Sequence, residues 1–401
     1  MHLNSKSQDE RVSVRARWVF PGDSPPVPEG VLILERGRIR EIASNWRECV
    51  DVDVGNAALL PGLVNAHTHL DLTDAGGKFP PSRDFVSWLR AVIAHRGQQT
   101  ADDVADAVRL GLAALLRAGT TLVGDVSVYG ASRQALTEAS LHSVVFFELV
   151  GLTEKRAAAF AEAAERWLSE AGAAQHCRSG LSPHAPYSVR ASLFRRAAAQ
   201  PAPMAVHLGE FEAERDLLEQ HTGPFVPMLH ELDVWDPEGL AASWDAIRRL
   251  AWTTPPLWVH GNYLRPTADW RGALVYCPRT HAAFGHPPHP FREFLAAGVP
   301  VALGTDSLAS NPDLDVLAEA RWLHARHPDV PGETLLRMIT LHGAAALGRE
   351  QETGSLTPGK SADVVVLPLP DREDADPYTL LWESAARPSQ VLWRGTPVNC
   401  P

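Results

Sequence analysis

The stretch LLPGLVNAHTHL (59–70) opens on apolar residues that read as a buried strand over 59–67 and closes on two histidines one residue apart. Seven further apolar runs follow it: TTLVGDVSV (120–128), SVVFFELVG (143–151), SGLSP (179–183), PMAVHL (203–208), LWVHG (257–261), GALVYCP (272–278) and VPVALGTDS (299–307). Between them lie Ala-rich segments with helical character, such as ADDVADAVRLGLAALLRAG (101–119) and AFAEAAERWLSEAGAA (159–174), with Gly119 and Gly172 where a helix would stop. Eight strands alternating with helices predict parallel βα units, and a span of about 250 residues is the size of a (β/α)8 TIM barrel. A doubly wound open sheet is the alternative. No GxGxxG follows the first strand and no GxxxxGK[ST] occurs anywhere, which counts against that sheet and against nucleotide-phosphate chemistry.

The two ends have a different character. VSVRARWVF, PPVPEG and VLILERGRIREIA (within 12–43) suggest a short meander, and GSLTPGKSADVVVLPL (354–369) and SQVLWRGTPV (389–398) repeat the style. Neither end has enough strands for a stable sheet alone. The expectation is an α/β chain in which residues 1–58 and 350–401 combine into a small β-sandwich beside a catalytic barrel over 59–349. Two unrelated edge ribbons are the other reading.

Composition narrows the function classes. The chain has 401 residues, 45% apolar and 21% charged, with 37 Lys and Arg against 48 Asp and Glu, a net charge of −11. That balance argues against nucleic-acid binding through a basic surface. No apolar run reaches the ~20 residues of a bilayer span, and the N-terminus lacks the apolar centre of a signal peptide. Four separated cysteines (Cys49, Cys177, Cys277 and Cys400) form no CxxC pair, which fits a reduced, cytoplasmic setting. Oligomeric state is left open, with a homodimer as one option.

Polar residues at the strand ends carry the functional reading. Side chains two apart on a strand point the same way, so His67 and His69 can face one point. His184, His207, His260 and Asp306 each fall at the C-terminal end of another candidate strand, with Glu210 three residues after His207. Each alone reads as structural, but all land on the face where such barrels keep their active sites. Three neutral histidines and a carboxylate suit one divalent metal, Zn²⁺ or Fe²⁺ in the alternative, with a position open for water. Such a metal brings the pKa of its water toward ~7. Glu210 suits proton transfer better than metal binding. Phe85 and Trp88, with Trp235, Trp244 and Trp252, are candidates to shape a closed pocket for a planar substrate, although core packing is the plainer reading for any one of them.

These motifs resemble the amidohydrolase superfamily, in its branch of heterocycle deaminases and chlorohydrolases. PGLVNAHTHLDL (61–72), HLGE (207–210), VHGNYL (259–264), GTDS (304–307) and GSLTPGKSADVVVL (354–367) carry the resemblance over nearly the whole chain. It implies that His67, His69, His207 and Asp306 hold one metal, that Asp306 also accepts a proton from water, that Glu210 shuttles protons, and that His260 orients the water or leaving group. Two departures stand out. No lysine lies near the ends of strands 3 and 4, which favours one metal and deamination over two-metal amide hydrolysis. The branch's CPxSN reads CPRTH (277–281) here.

Within the branch, SPHAPYS (182–188) is similar to deaminases of adenine nucleosides extended at the 5′ position, and CPRTHAAFGH (277–286) to the subgroup that converts 6-aminodeoxyfutalosine to futalosine and ammonia in menaquinone biosynthesis. The resemblance implies that His184 contacts sugar or base and that Arg279 binds a benzoate carboxylate; a structural tautomer role for His184 and a surface ion pair for Arg279 are the other readings. Trp88, from the aromatic pattern, is taken as the substrate contact among the tryptophans. Deamination of S-adenosylhomocysteine, methylthioadenosine or guanine, chlorohydrolysis of a triazine, and a non-catalytic interaction protein on the same barrel are the alternative functions.

Overall fold

The computed structural model describes residues 11–170, 174–373 and 376–398. Eight parallel strands form its centre: β1 (Leu63–Thr68), β2 (Thr120–Ser127), β3 (His142–Leu149), β4 (Cys177–Pro183), β5 (Ala205–Leu208), β6 (Leu257–His260), β7 (Ala273–Tyr276) and β8 (Val301–Leu303). They pair in chain order as two four-stranded sheets, β1 to β4 and β5 to β8. Single bridges join the sheets at both seams, Leu181 with Met204 and Thr68 with Asp306, and so close the ring. The chain is therefore an α/β barrel.

Alternation along each strand decides what faces inward. On β5, Ala205 packs with Val64, Val144, Phe146 and Val259 in the barrel interior, whereas Val206 and Leu208 join the outer core that the helices cover. His207 shares the inward parity of Ala205. The helix Ala101–Arg117 starts on a Thr100–Asp103 capping box and stops before Gly119, which takes φ of 89°. The second expected helix runs Glu154–Ser169, five residues earlier than its composition suggested, because the turn at Thr153 starts it. Gly172, its expected stop, lies outside the described residues.

The strand expected over 59–67 is two strands. Ala57–Pro61 pairs antiparallel with Val364–Pro368, while Leu63–Thr68 pairs with β2. Gly62 is the joint: a Cβ there would stand 1.9 Å from the Thr121 hydroxyl, so only glycine fits. Strands from both ends of the chain share one sheet. A six-stranded sheet interleaves Trp18–Val19, Val27–Pro28 and Ala57–Pro61 with Val364–Pro368, Gln390–Trp393 and Thr396–Pro397. A four-stranded sheet from residues 12–53 packs on it through Val14, Leu32, Ile39, Leu59, Val364 and Leu392. No described helix is long and apolar enough to cross a membrane.

Candidate active site

At the C-terminal mouth of the barrel His67, His69, His207, His260, Glu210 and Asp306 are all buried and adjacent. His67, His69 and His207 offer ligand atoms within 4.8 Å of one another, and so do His67, His260 and Asp306. Nε2 of His69 lies 3.4 Å from Nε2 of His207. Oδ1 of Asp306 lies 3.5 Å from Nε2 of His67 and 3.8 Å from Nε2 of His69. Nε2 of His67 has no hydrogen-bond partner.

Neighbouring groups aim these atoms. Nδ1 of His207 donates to the His184 carbonyl at 3.1 Å, which leaves the Nε2 lone pair directed into the cluster. The Ser310 hydroxyl donates to Oδ2 of Asp306 at 2.7 Å, leaving Oδ1 for the histidines. Asn65 on β1 exchanges hydrogen bonds with Thr305, tying the first strand to the loop after the last. Convergent lone pairs with no shared proton repel unless a cation sits among them. Tetrahedral ligand atoms bonded at about 2.0–2.1 Å stand about 3.3–3.4 Å apart, close to the spacings here. The donor set thus fits a divalent metal.

Electrostatics divides the two carboxylates. Burial alone would raise Asp306, but the nearby His67, His260 and His69 rings hold it well below the usual range. Glu210 is pushed well above its ordinary value by burial, and then by Asp306 and Glu214. Burial lowers His69 and His260 each to about 3, keeping both rings neutral. Glu210 is fixed by its own loop, since Glu214 accepts from the backbone N–H groups of 209, 210 and 211 and from the Trp244 indole. Nε2 of His260 stands 3.4 Å from Oε1 of Glu210. His260 and Asp306 both adopt left-handed backbone, with φ of 67° and 58°. Such conformations cost about 1–3 kcal/mol in non-glycine residues and gather at functional sites.

A cavity of about 300 Å³ leads outward from this cluster. His184, Phe85 and Trp88 line it, as do His69, His207, Glu210, His260 and Asp306. Trp235, Trp244 and Trp252 do not; Trp244 binds Glu214 and Trp252 packs on Trp258. Arg279 does not line it either, which corrects the expectation that it receives a substrate carboxylate. The helix Pro278–Phe284 begins one residue before Arg279. The guanidinium is turned onto Glu319, at 2.6 Å, and Asp313, at 2.5 and 3.0 Å.

Three charged lining residues went unnoticed in the sequence. Glu148 is the penultimate residue of β3 and Arg96 ends the helix Phe85–Arg96, and the two pair at 2.9 Å. Burial would raise Glu148, but Arg96, His184 and His69 outweigh it and bring it down to about 2. Arg156 lines the outer wall and has no hydrogen-bond or ion-pair partner among the described residues. The one signal for Glu148 was a charge at the C-terminal end of an otherwise apolar strand.

A closed parallel barrel with this donor set at its C-terminal mouth defines a class, that of hydrolytic barrel enzymes. Comparison with known proteins makes the class particular: residues 58–396 match the amidohydrolase family, and the chain belongs to it as a hydrolase. It is 28% identical over 383 residues to a 5-methylthioadenosine/S-adenosylhomocysteine deaminase of Moorella thermoacetica, covering 90% of this chain and 86% of the relative. It is 27% identical over 331 residues to an aminodeoxyfutalosine deaminase of Nitratiruptor, covering 79% and 80%. Among solved structures, Helicobacter pylori aminofutalosine deaminase in complex with methylthio-coformycin superposes with a TM-score of 0.81 at 21% identity, over 97% of this chain and 100% of that one. An adenosine deaminase of Xanthomonas campestris with bound zinc gives 0.76 at 24%, over 96% and 92%.

Proposed function

We propose that this protein deaminates an aminopurine nucleoside extended at its 5′ position, with 6-aminodeoxyfutalosine as the substrate and futalosine and ammonia as products. The reading rests on one observation above the others: a neutral-histidine and carboxylate cluster with a protonated carboxyl, Glu210, beside it at the end of an elongated pocket. His67, His69, His207 and Asp306 hold one divalent metal, with Zn²⁺ as the first candidate. When bound, it supplies an activated water at neutral pH. Asp306, kept ionised, takes the proton of the attacking water. Glu210, kept protonated by burial, gives a proton to ring nitrogen N1 as the ring loses aromaticity. His260 holds the attacking oxygen in line; Asp306 hands its proton to the exocyclic amino group, the C6–N bond breaks to release ammonia, and the proton left on the oxygen returns to Glu210.

Relatives named for deamination of methylthioadenosine, S-adenosylhomocysteine and aminodeoxyfutalosine support the reaction type. The outer pocket favours the last of these substrates. Its walls are Leu89, Val92, Ile93, Leu229 and Leu232, with Arg156 as the unpaired charge. An aryl carboxylate matches an apolar sleeve with one cation. A zwitterionic amino acid would also need a carboxylate on that outer wall, and the lining carboxylates Glu148, Glu210 and Asp306 lie inward of it beside the histidines.

Ammonia release measured on 6-aminodeoxyfutalosine, methylthioadenosine, S-adenosylhomocysteine, adenosine and a chlorinated triazine tests this directly. The highest kcat/KM is expected for 6-aminodeoxyfutalosine. Preference for S-adenosylhomocysteine would move the assignment to that substrate, and turnover of the triazine alone would end the nucleoside reading.

A further inference from the structure

Midway along the pocket, two acceptor atoms face each other with nothing between them. Nδ1 of His184 and the Ser188 hydroxyl are 2.8 Å apart, and that hydroxyl donates its single proton to the Ala185 carbonyl at 3.1 Å. Satisfying both contacts at once makes Nδ1 the donor to Ser188, and in that tautomer the neutral ring presents a lone pair at Nε2. That Nε2 lies 3.7 Å from Oε1 of Glu148, beyond hydrogen-bond range. The other carboxylate oxygen, Oε2, is taken by Arg96 at 2.9 Å. Arg96 in turn reaches Asp71 at 3.4 Å, so a fixed guanidinium keeps Glu148 ionised and in place. Glu148 is only 4% exposed, yet its Oε1 receives no hydrogen bond from any described residue. Glu148 lines the pocket, so this oxygen is completed by water or a ligand and not by the protein.

We infer that Glu148 is a specificity-determining residue, and that its Oε1 and the His184 Nε2 together accept two adjacent hydroxyls of the substrate, the vicinal diol of a ribosyl group. The inference rests on the nucleoside reading above and deepens it. Both atoms are acceptors, so the complementary group must bring two donors side by side, as a cis-diol does. Location agrees as well. The His184 ring is 4.8 Å from that of His207, so the gap lies about one ring's width from the candidate metal ligands. A heterocycle reacting at the cluster would put its first substituent there, ahead of the apolar outer wall. Arg96 acts on substrate only through Glu148 and is a positioning residue.

Kinetics of the metal-loaded enzyme on adenosine and 2′,3′-dideoxyadenosine tests the assignment, with wild type, Glu148→Gln and Glu148→Asp compared. In wild type, loss of the diol should lower kcat/KM at least about tenfold, because two buried acceptors are left unpaired. In Glu148→Gln that discrimination should shrink by about tenfold, since the amide no longer presents an anionic acceptor. Glu148→Asp keeps the charge for Arg96 but withdraws the oxygen, and should shrink it likewise; it serves should the glutamine variant not fold. Wild-type indifference to the diol, or equal discrimination in wild type and a folded variant, would overturn the inference while leaving the deaminase reading intact. Absence of ammonia from every adenine nucleoside would overturn both.

Discussion

Replacing Arg279 by methionine separates a structural role from a substrate role. In the structure its guanidinium and backbone N–H bind Glu319, whose side chain is fully buried, and its outer nitrogens bind the half-exposed Asp313. Breaking a buried pair by removing one partner costs about 3–5 kcal/mol, while a pair with an exposed partner adds at most about 1 kcal/mol. Glu319 would keep the Arg279 backbone N–H and the Asn311 amide, so the lower end, about 3 kcal/mol, is expected. At about 2.1 cal/mol/K per residue, a cooperative chain of this length unfolds with about 0.8 kcal/mol/K of entropy, so Tm should fall by roughly 3–4 °C. Asn311 also holds the Thr305 carbonyl, next to Asp306, so kcat should fall by a similar factor on every substrate. Thermal unfolding and kinetics on a charged and an uncharged nucleoside read both effects. Adding Glu319→Gln should recover most of the lost Tm, because the stranded charge is gone. An unchanged Tm together with a loss confined to the anionic substrate would refute this reasoning and return Arg279 to the pocket.

Three further outcomes are expected. His207→Ala should lose both the metal, about one ion per chain by elemental analysis, and activity; full activity after chelation would contradict the metal assignment. Glu210→Gln should retain metal while kcat drops ~10²–10⁴-fold, and loss of metal in that variant would make Glu210 a ligand instead. Glu148 also shapes stability against pH: its folded pKa is depressed from 4.5 to about 2, so its contribution is full above about 4.5 and disappears as pH falls toward 2. The stability difference between wild type and Glu148→Gln should narrow over that window, and a difference constant down to pH 2 would show that Glu148 is not held ionised by Arg96.

Much of the barrel was legible in the sequence because strand and helix periods are local properties. Eight apolar runs in order gave the strands with shifts of a few residues. The histidines and Asp306 could be grouped because parallel strands put all their C-terminal ends on one face. Where local pattern was ambiguous, it failed: one apolar run over 59–67 hides two strands in two different sheets, divided at Gly62 by the approach of Thr121.

What the sequence determined by itself was the set of reactive groups and the end of the barrel they occupy, since alternation and strand direction follow from neighbouring residues alone. Which charged side chains face the substrate was decided only by tertiary structure. Arg279 and Arg156 look equally available in the sequence, yet Arg279 is consumed by Glu319 from a helix 40 residues away and Arg156 is left unpaired at the pocket wall. A long side chain takes the partner that burial makes most costly to leave alone, and that partner is set by packing between elements distant in the chain.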